Sequence, residues 1–266
     1  MSLLVSALVL GLVEGITEFL PVSSTGHLIL VGRWLGIQGE RANAFEIFIQ
    51  LGAILAVVWE FRRPLSGHLR RAFVDRASAR LIGGVGLAFL PSAGLGFAFH
   101  KAIERRLFFE GPVAGAMIAG GLLILAVERW RPAPKTVSLD AVTWPQAFAV
   151  GCAQVAALFP GVSRAAATIL GGLVVGMDRP VATEFSFYLA IPTLAAASLF
   201  SLIKALPRLG AADIPFFAVG FVVSFVSAAI VVRSFLAYVR TRTFRPFAWY
   251  RIVVGLAIVA SIAVGR

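Results

Sequence analysis

Two carboxylates, Glu14 and Glu18, lie four residues apart inside an otherwise apolar run, and on a helix that spacing puts both on one face. Adjacent carboxylates in apolar surroundings repel each other and lose hydration, so one must hold a proton or both must share a cation. Oxygen ligation of this kind suits Mg²⁺ or Ca²⁺. The apolar flanks Leu8 to Val13 and Ile16 to Leu20 argue against a solvated helix end. Ser23, Ser24 and Thr25 follow with hydroxyls and an N-cap for a helix running through Leu28, Ile29 and Leu30, whose free N–H groups form an anion site. A second segment repeats the device, with Ser163 as the cap, Arg164 beside it and Thr168 one turn later on the face of Arg164. Arginine is suited to bidentate contact with phosphate. Capping alone would account for the serines, Ser23 in particular, but not for an arginine and two carboxylates in apolar segments. His27 lies three residues beyond Ser24. A serine activated by a histidine, with the oxyanion held by helix amides and Arg164, is an arrangement for phosphoryl transfer. His68 and His100 are predicted in solvated loops, and Glu46 and Glu184 are predicted to serve structural roles near the start of a span in each half.

The elements that must position these groups follow from composition. Of 266 residues, 59% are apolar and 14% charged, against roughly 25% charged in a soluble domain, and the mean hydropathy is +0.90. These values exclude a disordered chain and an ordinary soluble enzyme, and predict an all-α integral membrane protein. A net charge of +11 would suggest nucleic acid in a soluble protein; in a membrane protein it sets orientation, and no nucleic-acid partner is implied. A single cysteine, Cys152, excludes an intramolecular disulfide and a cysteine-based zinc cluster. The N-terminal run lacks the basic start of a secretory signal and is expected to be mature structure.

Six apolar segments, at about 44 to 60, 81 to 99, 112 to 128, 181 to 205, 214 to 236 and 247 to 264, are long enough to cross the hydrocarbon core. Two further stretches, about 3 to 36 and 145 to 176, are broken at Pro21-Val22-Ser23-Ser24 and Pro160-Gly161-Val162-Ser163, and each is predicted to be a re-entrant hairpin of half-length helices. Broken backbone at membrane depth requires protein or a water-filled cavity around it, so a cavity is expected there. A shift of 140 residues lays Glu14 over Gln154, Phe19 over Phe159 and Val22-Ser23 over Val162-Ser163. The expectation is one membrane domain of two inverted-topology repeats, residues 1–132 and 141–266, each one hairpin plus three spans. Fourteen Lys and Arg fall on one side and eight on the other, which makes the first side cytoplasmic and leaves both termini outside. Arg251 is expected to snorkel from the start of its span, whereas Arg164, at a hairpin break, needs an anionic partner.

The stretches Glu14-Gly15-Ile16-Thr17-Glu18-Phe19-Leu20-Pro21-Val22-Ser23-Ser24-Thr25-Gly26-His27, Pro160-Gly161-Val162-Ser163-Arg164 with Thr168, and Glu184-Phe185-Ser186-Phe187 resemble the bacterial undecaprenyl-diphosphate phosphatases of the bacitracin-resistance type. The likeness covers nearly the whole chain. It departs at Ala165 and Ala166, where the family has Ser-Gly, so no hydroxyl is available at position 165. The resemblance implies hydrolysis of undecaprenyl diphosphate in the bacterial inner membrane at a site open to the periplasm, with a divalent cation, which recycles the lipid carrier of peptidoglycan synthesis. By position, Arg164 would hold the diphosphate and Ser24 or a water would attack. His27 would assist proton transfer, and Glu14 and Glu18 would bind the cation or act as acid and base. Ser23, Thr25, Ser163 and Thr168 would contact phosphate. The partners implied are the polyprenyl diphosphate and the bilayer, with a homodimer left open. Two other readings compete. A histidine-nucleophile lipid phosphatase needs a further histidine about six residues after the arginine, and Ala165 to Gly172 has none. An inverted-repeat transporter or flippase for a polyprenyl phosphate would move lipid without releasing phosphate.

Overall fold

The computed structural model describes residues 2–37, 39–107, 109–205, 210 and 213–264, without the side chains of residues 40, 41, 43, 100–107, 204 and 205. Of the charges counted for orientation, Arg208 and Arg266 lie outside the described residues, as do the side chains of Arg41, Lys101, Arg105, Arg106 and Lys204; that of His100 does too.

Among the described residues ten α-helices follow one another: α1 (Leu3–Thr17), α2 (Ser24–Trp34), α3 (Glu40–Arg71), α4 (Arg76–Leu107), α5 (Glu110–Trp130), α6 (Trp144–Gln154), α7 (Arg164–Val174), α8 (Arg179–Ala205), α9 (Ile214–Val239) and α10 (Arg245–Ala263). A single bridge between Thr136 and Met177 is the extent of β-pairing among the described residues. Six of the helices, α3, α4, α5, α8, α9 and α10, contain apolar spans of 19 to 28 residues, long enough to cross a membrane, and they coincide with the six predicted segments. Helices α1, α2, α6 and α7 have 15, 11, 11 and 11 residues. At 1.5 Å per residue none reaches the roughly 30 Å of a hydrocarbon core. The element order therefore repeats, with two short helices and then three long ones, twice.

Local chemistry sets the short helices. Thr143 and Gln146 form a reciprocal capping box at the start of α6, with Pro145 in the first turn where its missing N–H is harmless. Ser23 and Ser163 cap α2 and α7, accepting from Gly26 N–H at 3.4 Å and Ala166 N–H at 3.2 Å. Asp75 starts α4 in the same way. Its carboxyl is held below its ordinary value by the Ser78 hydroxyl at 2.7 Å, then by the N–H groups of Ser78 and Ala77.

Helix α1 is pressed onto α9 through small residues. A Cβ on Gly11 would sit 2.6 Å from the Gly220 carbonyl oxygen, and one on Gly15 would sit 2.0 Å from Ser227 Oγ. This contact fixes the helix that carries Glu14. At the ends that the charge count assigns to the cytoplasm, Arg179 makes a two-point ion pair with buried Glu128 at 3.0 and 2.5 Å, and Glu128 also accepts from the Phe244 N–H at 2.8 Å. One carboxylate thereby ties together the ends of α5, α8 and α10.

Two expectations are corrected. His68 is not in a solvated loop: it lies in α3, buried, with Nδ1 3.4 Å from Ser78 Oγ and 3.7 Å from Asp140 Oδ1. Arg251 does not snorkel. Its side chain is fully buried, because backbone carbonyls at the centre of the protein, not water at the boundary, take up its donors.

The close α1–α9 contact predicts that Gly11→Val, which adds bulk against backbone that cannot retreat, destabilises the protein by about 2 kcal/mol, measured as a lower Tm of the purified protein in detergent. An unchanged Tm would mean that the two helices can separate freely.

Candidate functional site

The two breaks in the short-helix pairs meet. The first runs through Pro21 and Val22 to Ser23, the second through Gly161 and Val162 to Ser163, and the Ser163 hydroxyl is 3.5 Å from the Leu20 carbonyl oxygen. Ser23 and Ser163, which superpose under the 140-residue shift, have φ of 74° and 73°, the only positive values at non-glycine residues among those described. Such backbone costs about 1–3 kcal/mol per residue and persists only where its surroundings over-determine it. Its effect is to turn the chain abruptly into α2 and α7, so that two helix N-termini begin beside each other.

A hydrogen-bonded chain crosses the junction. The Ser24 hydroxyl donates to Glu18 Oε2 at 2.6 Å, and Glu18 Oε1 accepts from Arg164 Nη2 at 3.2 Å. Arg164 Nη1 donates to the carbonyl oxygen and hydroxyl of Ser186 on α8, at 3.2 and 3.4 Å. The Ser186 hydroxyl lies 2.6 Å from that of Thr168, which donates to the Arg164 carbonyl oxygen at 2.8 Å. The Phe19 ring lies under the guanidinium, 5.4 Å from centroid to Cζ. Arg164 thus has the anionic partner that its burial demands, and the partner comes from the other half of the chain.

Glu14 is buried one turn before Glu18, and its Oε1 has no hydrogen-bond partner among the described residues; nor has Arg164 Nε. Two carboxylates on one helix face, one with an orphaned buried oxygen, have the donor chemistry of a hard cation that shares its coordination with hydroxyls, phosphate and water. No cluster of three or more His, Cys, Asp or Glu suited to a metal occurs among the described residues, so a cation held here would take only part of its coordination from Glu14 and Glu18.

A cavity of about 150 Å³ opens on this chain, lined by Glu18, Ser23, Ser24, Thr25, Gln50, Ser163 and Arg164, with Phe159 and Leu194 among its apolar walls. It has room for about five waters, enough for a phosphate group but not for a lipid tail. Six of the predicted residues, Glu18, Ser23, Ser24, Thr25, Ser163 and Arg164, line it.

Other predicted residues are placed elsewhere. His27 is not on the cavity wall: Nδ1 is 2.7 Å from the Ser23 carbonyl oxygen and must carry the proton, leaving Nε2 to accept from the Tyr250 hydroxyl at 2.6 Å. Its ring stacks on that of Tyr250, with centroids 5.5 Å apart. The group hydrogen-bonded to the Ser24 hydroxyl is therefore Glu18 and not His27. Thr168 is fully buried; it bonds the Arg164 carbonyl directly and the guanidinium through Ser186, and does not line the cavity. Glu46 lines a separate cavity of about 600 Å³ between α2, α3, α5 and α10, and Glu184 joins neither. Sequence reasoning overlooked Ser186 and Gln50. Ser186 lay in the quoted Glu184-Phe185-Ser186-Phe187 stretch, and its small polar side chain between two phenylalanines was the available signal.

The chain matches the family profile described as bacitracin resistance protein BacA over residues 7–257. It is 50% identical to the undecaprenyl-diphosphatase of Ectopseudomonas mendocina over 255 residues, 96% of this chain and 92% of the relative. Identity is 47% to that of Aromatoleum aromaticum, covering 98% and 95%, and 46% to that of Pseudomonas aeruginosa PAO1, covering 96% and 92%. Over nearly its whole length, therefore, and through both short-helix pairs that build the cavity, the chain belongs to the bacitracin resistance protein BacA family.

Proposed function

We propose that this multi-pass membrane protein is an undecaprenyl-diphosphatase, hydrolysing undecaprenyl diphosphate to undecaprenyl phosphate and inorganic phosphate, and so recycling the lipid carrier of peptidoglycan synthesis and conferring resistance to bacitracin. The observation that carries the reading is the Ser24–Glu18–Arg164 chain on the wall of a phosphate-sized cavity. The Arg164 guanidinium, with the N-termini of α2 and α7, binds the terminal phosphate and stabilises the charge that gathers on its oxygens. Glu18 accepts the proton of the attacking oxygen, which is either the Ser24 hydroxyl or a water in its place. A bond forms from that oxygen to the terminal phosphorus, the bridging P–O bond breaks, and its electron pair leaves with undecaprenyl phosphate. If Ser24 attacks, water then releases the phosphoserine. His27, bonded to the Ser23 carbonyl, steadies the first tip. Glu14 and Glu18 would hold a divalent cation, Mg²⁺ or Ca²⁺, which supplies positive charge against the diphosphate when bound.

The site is proposed to face the periplasm from the inner membrane, with the excess of Lys and Arg on one side supporting the orientation of the spans. The short-helix pairs are proposed to be re-entrant and the halves inverted. Packing supports this: α1 lies on α9 and α6 on α4, while α3 pairs with α8 and α5 with α10, contacts that exchange with one another when the halves are swapped.

Release of inorganic phosphate from a polyprenyl diphosphate by purified protein in detergent tests the activity; lipid movement in liposomes with no phosphate released would establish the transporter reading instead. Glu18→Gln and Arg164→Ala are each expected to lower kcat by about 10²-fold or more, and His27→Gln by about tenfold or less, since it does not reach the cavity. A loss in His27→Gln equal to that in Glu18→Gln would return the base to the histidine. Chelation is expected to abolish turnover and added Mg²⁺ or Ca²⁺ to restore it; full activity in chelator would rule out the cation.

A further inference from the structure

The proposed site is divided between two hairpins that share no covalent link near it. Glu18 and Ser24 belong to the first and Arg164 to the second, so their spacing depends on what joins the tips. Beyond the Ser163–Leu20 contact, the join is made by Arg251 of α10. All five of its N–H donors are engaged, each group by a backbone carbonyl. Nη1 donates to Pro21 at 3.2 Å and Val162 at 2.9 Å, Nη2 to Gly161 at 2.9 Å and Ala116 at 3.1 Å, and Nε to Met117 at 3.3 Å. One guanidinium therefore holds a carbonyl of the first tip, two of the second and two of α5.

Saturation excludes a role as a phosphate ligand, because no donor is left for one. The engaged carbonyls immediately precede the site. Val162 and Ser163 share a planar trans peptide, so drawing the Val162 carbonyl to Arg251 turns the Ser163 N–H the opposite way. Pro21 stands two residues before the strained Ser23. Space for the guanidinium is provided from a third element: a Cβ on Gly120 of α5 would lie 2.1 Å from Nη2 and 2.7 Å from Cζ.

We infer that Arg251 is a positioning residue of the hydrolase, setting the register of the two hairpin tips and so the distance across which Arg164 and Glu18 cooperate. The inference rests on the site proposed above, and it extends to Gly120, whose missing side chain lets the guanidinium seat.

Farnesyl diphosphate, assayed with the full-length protein in detergent, tests this. Arg251→Lys supplies three donors from a single nitrogen and cannot span five carbonyls, so kcat is expected to fall by about tenfold or more with KM changed by less than about threefold, as misplacement of reacting groups requires. Gly120→Ala, which keeps every donor and only displaces the guanidinium, is expected to lower kcat in the same way, and it decides the matter if Arg251→Lys does not fold. Glu128→Gln, at the far ion pair, is the stability control, with lower Tm and unchanged kcat. A purely structural role would multiply independently with changes at Arg164. If Arg251 acts through Arg164, adding Arg251→Lys to Arg164→Lys costs less than about threefold. Retention of kcat within threefold in both Arg251→Lys and Gly120→Ala would overturn the inference, as would an undiminished penalty in the Arg164→Lys background. Full activity in Arg164→Ala would instead reject the site itself, whatever the Arg251 result.

Discussion

Backbone that leaves the helical path in an apolar layer must find hydrogen-bond partners inside the protein. The structure meets this requirement with the side chain of Arg251, which accepts the burial of a guanidinium in return for satisfying carbonyls of both breaks at once. An unsatisfied buried carbonyl costs about 1–3 kcal/mol, and several would be stranded together without it. With the carbonyls held, the strained serines can persist, the two short helices can start side by side, and their N–H groups face one place.

The site itself is not arranged for stability. Glu14 Oε1 and Arg164 Nε are buried without partners, whereas native interiors leave few such atoms. The Glu18–Arg164 pair offsets part of the cost of burying charge, and the Phe19 face offsets a little more. What remains is one unused donor, Arg164 Nε, suited to an anion, and one unused acceptor, Glu14 Oε1, suited to a cation or a proton. The opposite arrangement is seen at Glu128, where both carboxylate oxygens accept hydrogen bonds.

Much of this was legible in the sequence. The six spans stood out because a long apolar run has few alternatives, and the breaks stood out because Pro21 and Pro160 interrupt such runs beside serines. Glu18, Ser24 and Arg164 were found because charge and hydroxyls at that depth have a high price. What was missed has a common physical cause, in that sequence spacing predicts only contacts on one element. His27 lies one turn from Ser24, yet its partner is Tyr250, 223 residues away. Thr168 shares a face with Arg164, yet both turn to Ser186 on another helix. Arg251 sits near the beginning of a span, where snorkelling is the usual outcome, and nothing in its neighbours discloses that five carbonyls converge on it. The positive φ of Ser23 and Ser163 was equally hidden, since glycine is the residue that normally announces such backbone.

The sign of charge is partitioned between the halves of the site, with the carboxylates in the first and the guanidinium 146 positions later. At roughly 5–20 residues per second, a growing chain holds Glu14 and Glu18 without their counter-charge for about 7–30 s. The first helix pair is therefore completed only by elements of the second half, which supply its counter-charge from α7 and its packing partner from α9.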